Sequence, residues 1–159
     1  MRGKKQDQAQ LFFVIDVESR IRKDHPLRGL KRRIDGILAR MDAAFSRAYS
    51  RTGRPSVPPE RLLKALLLMA LYSIRSERQL IERIDTDLLF RWFLDLSPED
   101  SVFDATVFTH NRVRLDEHGI TGEFFTAVLN QAAEQGLCSA VHFSVDGTMM
   151  ESFTSIKRL

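Results

Sequence analysis

The chain has 159 residues, 43% of them hydrophobic and 28% charged, and this balance excludes a disordered or fibrous protein. Its single cysteine, Cys138, excludes an internal disulfide, so we expect a reducing cytoplasm. The most apolar stretch, residues 62–74, includes Lys64 and is shorter than the about 20 residues that span a bilayer. We therefore expect no membrane partner.

Basic residues are concentrated in the first third of the chain. Residues 1–54 carry a formal net charge of +8, whereas residues 55–159 carry −5. Residues 1–24 resemble a basic tail that precedes the first helix. The asymmetry fits a polyanionic partner and a merely solubilising tail equally well, because charge alone does not distinguish the two.

Apolar residues recur every three or four positions from Leu27 to Tyr49, which predicts one amphipathic helix with most of its basic residues off the apolar stripe. Residues 51–59 form a connector rich in proline that ends in Pro58 and Pro59. Prolines suit the first turn of a helix, where a missing N–H costs nothing. Residues 60–74 are apolar on most sides and predict the central helix of a bundle.

Capping residues mark the next elements. Ser76 followed by Gln79 has the spacing of a capping box, which predicts a helix start. The apolar face then continues across a bend expected at residues 85–87. Asp104 is the predicted N-cap of a helix over residues 105–117.

The last predicted helix begins near Thr121 and ends at Gly136. Thr121 is the predicted N-cap, with Ile120 and Phe125 at the spacing of a hydrophobic staple. Gly136 suits the left-handed position just after a helix. The region 25–137 is thus predicted to be a bundle of five to six helices.

The pattern changes abruptly after the helices. In residues 140–145 apolar and polar side chains alternate, which is typical of a β-strand. Asp146 follows directly and precedes Gly147. Taken alone, an Asp-Gly pair at a strand end fits an ordinary turn better than a metal ligand.

Five segments together resemble bacterial insertion-sequence transposases of the DDE class, of the insertion-sequence-five (InsH-like) type. They are RPSVPPERLLKALLL at 54–68, SERQLIERI at 76–84, LFRWF at 89–93, FDATVFTHNRVRL at 103–115 and HFSVDGT at 142–148. The resemblance implies a mainly α fold, in which the helical domain is followed at 138–159 by the first strand of an RNase H-like catalytic domain. It implies that Asp146 is a catalytic residue and a ligand of Mg²⁺.

The chain departs from that family after Asp146. Only 13 residues follow, and Glu151 is the one carboxylate among them. Two-metal phosphoryl transfer needs several carboxylates, which the family draws from later strands and a helix. We therefore expect a shortened or frame-disrupted copy that binds DNA, holds no Mg²⁺ stably and cuts no DNA by itself.

The expected partner is double-stranded DNA at transposon ends, in the nucleoid, with a homo-oligomer possible and no small-molecule substrate. Arginine binds phosphate through a planar fork of donors, so basic residues of the helices are candidate phosphate contacts. The candidates are Lys31, Arg32, Arg33, Arg47, Arg51, Arg54, Arg112 and Arg114. A solvated helix face would explain the same residues.

The helices predicted at 60–74 and 76–84 have helix-turn-helix proportions, although Glu77 and Glu82 would face phosphates poorly. Two other functions remain open at this point. One is a stand-alone DNA-binding regulator that occupies transposon ends. The other is an oligomerisation module that uses the apolar strand as its joining edge.

Overall fold

The structure, a computed structural model, describes residues 16–49 and 56–136, and these form eight α-helices. The helices are α1 (Val17–Arg20), α2 (Pro26–Arg40), α3 (Asp42–Ala48), α4 (Pro59–Leu71), α5 (Glu77–Thr86), α6 (Leu88–Phe93), α7 (Ala105–Glu117) and α8 (Ile120–Glu134). The predicted mainly α fold is confirmed for these residues. The region 25–137, which was predicted to hold five to six helices, holds seven within its described residues, α2 to α8. The predicted strand at 140–145 and Asp146 lie outside the described residues.

Helix α4 is the centre of the bundle, as its sequence predicts. Residues 62–68 are all buried, and Leu63, Ala65 and Leu68 are completely inaccessible. Helices α5 and α7 pack on α4, while α8 packs on both α7 and α2. The fully buried rings of Phe90 and Phe108 extend the core. Because burying such a side chain contributes about 1.5–3 kcal/mol, this core accounts for most of the driving force for folding.

The single helix predicted from Leu27 to Tyr49 is wrong, because the chain bends at Met41. Met41 has φ −91° and ψ 2°, and its N–H donates to the Leu38 carbonyl three residues back rather than four. Helix α2 ends before it and α3 begins after it. Met41 and Phe45 are both buried, so the apolar spacing continues through the bend. Periodicity therefore predicted the buried face correctly and could not detect the change of direction.

The predicted N-cap at Thr121 is also wrong. Helix α8 begins at Ile120, and Gly119, at φ 69°, occupies the N-cap position without a side-chain hydrogen bond. The staple assigned to Ile120 and Phe125 assumed the later start and is wrong with it. Thr121 is instead buried, and its hydroxyl has no hydrogen-bond partner in the described part of the chain. Glycine adopts this left-handed conformation easily, and the turn at Gly119 lets α8 follow α7 almost immediately.

Several other helix ends agree with the sequence patterns, but the helix predicted over residues 60–74 ends earlier, at Leu71, because Ser73 adopts the left-handed φ of 52°. The Ser76 hydroxyl accepts from the Gln79 N–H at 3.2 Å, and the Asp104 carboxylate accepts from the Thr106 N–H at 2.7 Å. Asp87 caps α6, so the bend expected at 85–87 is the junction of α5 and α6. Gly136 has φ 66° just beyond the end of α8.

A buried lysine joins three helices through a charge cluster. The Lys64 ammonium on α4 is 4% exposed and lies 2.5 Å from Asp35 Oδ1 and 2.5 Å from Asp95 Oδ2. The Lys31 ammonium lies 2.5 Å from Asp95 Oδ1 and 3.3 Å from Asp35 Oδ2. Lys31 and Asp35 belong to α2, and Asp95 directly follows the end of α6. The cluster therefore ties α2 and the end of α6 to the central helix.

Asp95 reaches this cluster through a left-handed turn. It has φ 56°, and the turn is closed by the Leu96 N–H, which donates to the Arg91 carbonyl at 2.9 Å. Burial disfavours its charge, yet hydrogen bonds from Lys31 and Lys64 hold the pKa of Asp95 below its ordinary value. Burial also opposes the charge of Lys64, and hydrogen bonds to Asp35 and Asp95 raise its pKa above the ordinary value.

These shifts give the cluster a defined pH dependence. A carboxyl group whose pKa is lowered by folding stabilises the native state above its unfolded pKa, and this contribution is lost as the pH falls through the folded pKa. We therefore expect Asp95→Asn to reduce the free energy of unfolding at pH 7 by about 1–2 kcal/mol, because Asp95 is partly solvated and the loss is smaller than for a fully buried pair. The variant should also show a weaker loss of stability between about pH 5 and pH 2.

Urea unfolding monitored by circular dichroism across that pH range would measure both effects. Asp116→Asn is the matched control, because Asp116 has no ion-pair partner within residues 16–49 and 56–136. The control should keep the wild-type acid dependence. An Asp95→Asn variant with the same acid dependence as the wild type would contradict the role of the cluster.

Candidate nucleic-acid interface

One side of α2 forms an open groove with its neighbour α8, which we call the α2 groove. Its volume is about 400 Å³, and it is lined by Gly29, Arg32, Arg33, Gly36 and Arg40 from α2 and by Gln131 from α8. Successive turns of α2 contribute these residues at steps of three or four positions (29, then 32 and 33, then 36, then 40), so they share one face of the helix. The opposite face carries the buried residues Ile34, Ile37 and Leu38.

The three arginines of the α2 groove are exposed and have no carboxylate partner among the described residues. Arg28, one turn earlier, is different. Its guanidinium binds the Glu18 carboxylate and donates to the backbone carbonyl of Ile21 at 2.7 Å. Helix α2 therefore carries two kinds of arginine. Arg28 is neutralised within the fold, whereas the three arginines of the α2 groove keep their N–H donors available to a ligand. Free guanidinium groups on one helix face suit the oxygens of phosphate groups.

Two glycines, Gly29 and Gly36, line the α2 groove, although packing within the fold does not require glycine at either position. A Cβ added at Gly29 would meet nothing within 4 Å, and one at Gly36 would meet only the Arg40 Nη1 atom at 3.9 Å. Glycine inside a helix costs about 1 kcal/mol relative to alanine. Bare backbone at these positions lets a ligand approach the helix closely, which a side chain would hinder.

Lys31 stands apart from the other predicted phosphate contacts on α2. Its ammonium is matched by the carboxylates of Asp35 and Asp95 and lies 5.8 Å from the centre of the Trp92 ring. Its side chain is only 13% exposed. The structure thus brings Arg32 and Arg33 together in the α2 groove and places the charge of Lys31 in the buried cluster.

The remaining predicted contacts do not join the α2 groove. Arg47 is exposed on α3 and has no partner in the described part of the chain. Arg112 on α7 lies 2.8 Å from the Glu77 carboxylate on α5, and Arg114 lies 5.2 Å from the centre of the Tyr49 ring. These two arginines link α7 to neighbouring elements. Arg51 and Arg54 fall outside the described residues.

The start of α5 exposes basic residues that the sequence pattern did not single out. Glu77, expected to disfavour phosphates here, turns inward and also accepts a hydrogen bond from the Thr109 hydroxyl. Arg75, Arg78 and Gln79 are left exposed, and neither arginine has a carboxylate partner among the described residues. The sequence could have indicated this exposed basic surface, because Arg75 and Arg78 lie close to Ser76, the predicted start of the helix.

Two further features are absent from residues 16–49 and 56–136. No group of three or more His, Cys, Asp or Glu side chains in that part of the chain is placed to hold a metal ion. No helix there is both long and apolar enough to cross a membrane. The predicted metal ligand Asp146 falls outside these residues.

The helical region of the chain matches a known protein family. The model of a family described as a transposase domain (DUF772) matches residues 15–114, which is more than half of the chain. The matched span runs from just before α1 almost to the end of α7, and it includes all of α2 and α5. No curated protein and no solved structure matches the chain significantly.

Proposed function

This chain belongs to the transposase domain (DUF772) family, and from that premise we propose that its helical domain binds duplex DNA during transposition. The observation that supports this most strongly is the α2 groove, where three exposed arginines without carboxylate partners among the described residues surround two glycines. We propose the insertion-sequence-five type of the DDE class as the finer family, with transposon ends as the DNA.

The proposed contact is electrostatic and independent of base sequence. Each phosphate neutralised by an arginine releases condensed counterions, so the affinity falls with salt in proportion to the number of contacts. Arg33 and Arg40 are seven positions apart on α2, which separates them by about 10 Å along the helix axis. That distance is similar to three phosphate steps along one strand of DNA, because the phosphates of one strand rise by about 3.4 Å each along the duplex axis.

We expect the double variant Arg33→Gln/Arg40→Gln to weaken binding to a duplex of arbitrary sequence. It should also reduce the slope of log affinity against log salt concentration by about 2, because two phosphate contacts are lost. Fluorescence anisotropy with a labelled duplex, titrated from about 50 to 200 mM salt, measures both quantities.

The charge-matched control is Arg20→Gln/Lys23→Gln, which removes two exposed positive charges outside the α2 groove. It should change the slope much less. Equal losses in the two double variants would mean that binding follows net charge, and the α2 groove would then not be the DNA contact.

The glycines provide a test in which stability and binding move in opposite directions. Alanine at Gly29 and Gly36 should stabilise α2 by about 1 kcal/mol at each position, because alanine favours the helix and meets no close neighbour. The same double variant should bind DNA more weakly, because two methyl groups then stand between the helix backbone and the phosphates.

Thermal unfolding and DNA titration of the same samples would measure the two effects. The control is Gly122→Ala on α8, since a Cβ there also meets nothing within 4 Å and Gly122 does not line the α2 groove. The control should leave DNA binding unchanged. A stabilised Gly29→Ala/Gly36→Ala variant with unimpaired binding would contradict close approach of DNA to α2.

We also propose that Asp146 is a catalytic Mg²⁺ ligand and that residues 1–159 by themselves bind DNA without cutting it. The support is the strand-like alternation before Asp146, its resemblance to the family segment, and the need of two-metal chemistry for several carboxylates. We expect no cleavage or joining of transposon-end duplexes with Mg²⁺ or Mn²⁺ in a gel assay. Strand transfer that is abolished by Asp146→Ala would contradict this expectation.

A further inference from the structure

Helices α4 and α5 are joined by a short, closely defined turn. The Ser73 N–H donates to the Ala70 carbonyl at 3.3 Å, and the Ile74 N–H donates to the Met69 carbonyl at 2.9 Å. These two bonds are those of a Schellman motif, in which the residue after the helix is left-handed, and Ser73 accordingly has φ 52°. The Ser76 cap then starts α5 three residues later. The turn therefore sets the position of α5 relative to the central helix.

Contacts on several sides fix which face of α5 is turned outward. Leu80 and Ile84 are completely buried, and Glu77 is held by Arg112 and Thr109 of α7. Arg83 stacks on a Phe90 ring 4.7 Å away. Its charge is also matched by the Asp87 carboxylate at 3.6 Å. These contacts hold α5 against α4, α6 and α7, so the helix cannot rotate about its axis without breaking them.

The outward face of α5 carries a particular set of polar side chains. Arg78, Gln79 and Glu82 are exposed on the first turns of α5, and the exposed Arg75 lies just before the Ser76 cap that starts the helix. Glu82 is three positions from Gln79 and four from Arg78, so these three side chains share one side of the helix. Arginine donates two hydrogen bonds to guanine, glutamine pairs with adenine, and glutamate accepts from cytosine in the major groove. A helix of ten residues is about 15 Å long and fits that groove.

We propose that α5 reads DNA sequence in the major groove, with Arg78 and Gln79 as the base-contacting residues and Arg75 on the adjacent phosphate. This goes beyond the proposed function and rests on it, because it requires that the chain bind duplex DNA. The α2 groove and the outward face of α5 then have different roles in binding. The α2 groove contributes affinity that is independent of sequence, and α5 contributes the choice of site.

The test is a selection of binding sites from a library of random duplexes with the full chain. Wild-type protein should enrich a short motif. Arg78→Ala/Gln79→Ala should lose enrichment at two or three adjacent base pairs and reduce the ratio of selected to random affinity by roughly thirtyfold or more, as the loss of two base contacts predicts. Both side chains are exposed, so the fold should persist, as circular dichroism will show.

Two further variants separate this proposal from the proposed function. Arg33→Gln/Arg40→Gln should bind more weakly overall and enrich the same motif as the wild type. Thr126→Ala/Asn130→Ala, a pair of exposed polar residues on α8, should match the wild type in both respects.

The opposing outcomes are equally distinct. An unchanged motif in Arg78→Ala/Gln79→Ala overturns base reading by α5. Wild-type protein that binds the library without enriching any motif overturns base reading and leaves the α2 groove in place. Wild-type protein that binds no duplex overturns both proposals.

Discussion

The buried ammonium of Lys64 is the contact on which the arrangement of this domain depends. It lies between the carboxylates of Asp35 on α2 and Asp95 after α6, and it belongs to the buried stretch 62–68 of α4, which is otherwise apolar. A charge in such a place is tolerated only when it is paired, so α2 and α6 must both dock correctly around α4. The orientation of α2, and with it the exposure of Arg33 and Arg40, follows from this requirement.

Paired and unpaired cations are separated in space. Lys31, Arg28 and Arg91 satisfy acceptors inside the fold, where Arg91 donates to the backbone carbonyls of Pro98 and Asp100 and shapes the loop that leads towards α7. Arg33 and Arg78 have no such partners among the described residues. The domain thus uses part of its basic residues to build the bundle and leaves others free for a polyanion. This division supports DNA binding more strongly than net charge does.

Most of the helices and several of their ends could be predicted from local patterns, although α1 lies in residues that were predicted to be a basic tail. The predicted helix starts at Ser76 and Asp104 and the predicted end at Gly136 are correct, because capping depends on neighbours only a few residues away. The prediction of Thr121 as an N-cap was wrong for the opposite reason. Its position in the core, and the direct passage from α7 to α8 through Gly119, depend on packing between helices. The bend at Met41 escapes periodicity in the same way, since one residue can change direction while the apolar spacing continues.

The amino-acid sequence by itself determined that the chain is helical, that α4 is central and that its basic residues cluster early, because periodicity and composition are local properties. Its resemblance to transposases agrees with the family match over residues 15–114. Only the tertiary structure decided which cations are free. Lys31 and Arg32 are adjacent in sequence, yet one is neutralised by Asp95, 64 residues away, and the other lines an open groove. Charge pairing over such distances depends on how helices pack, which no local pattern contains.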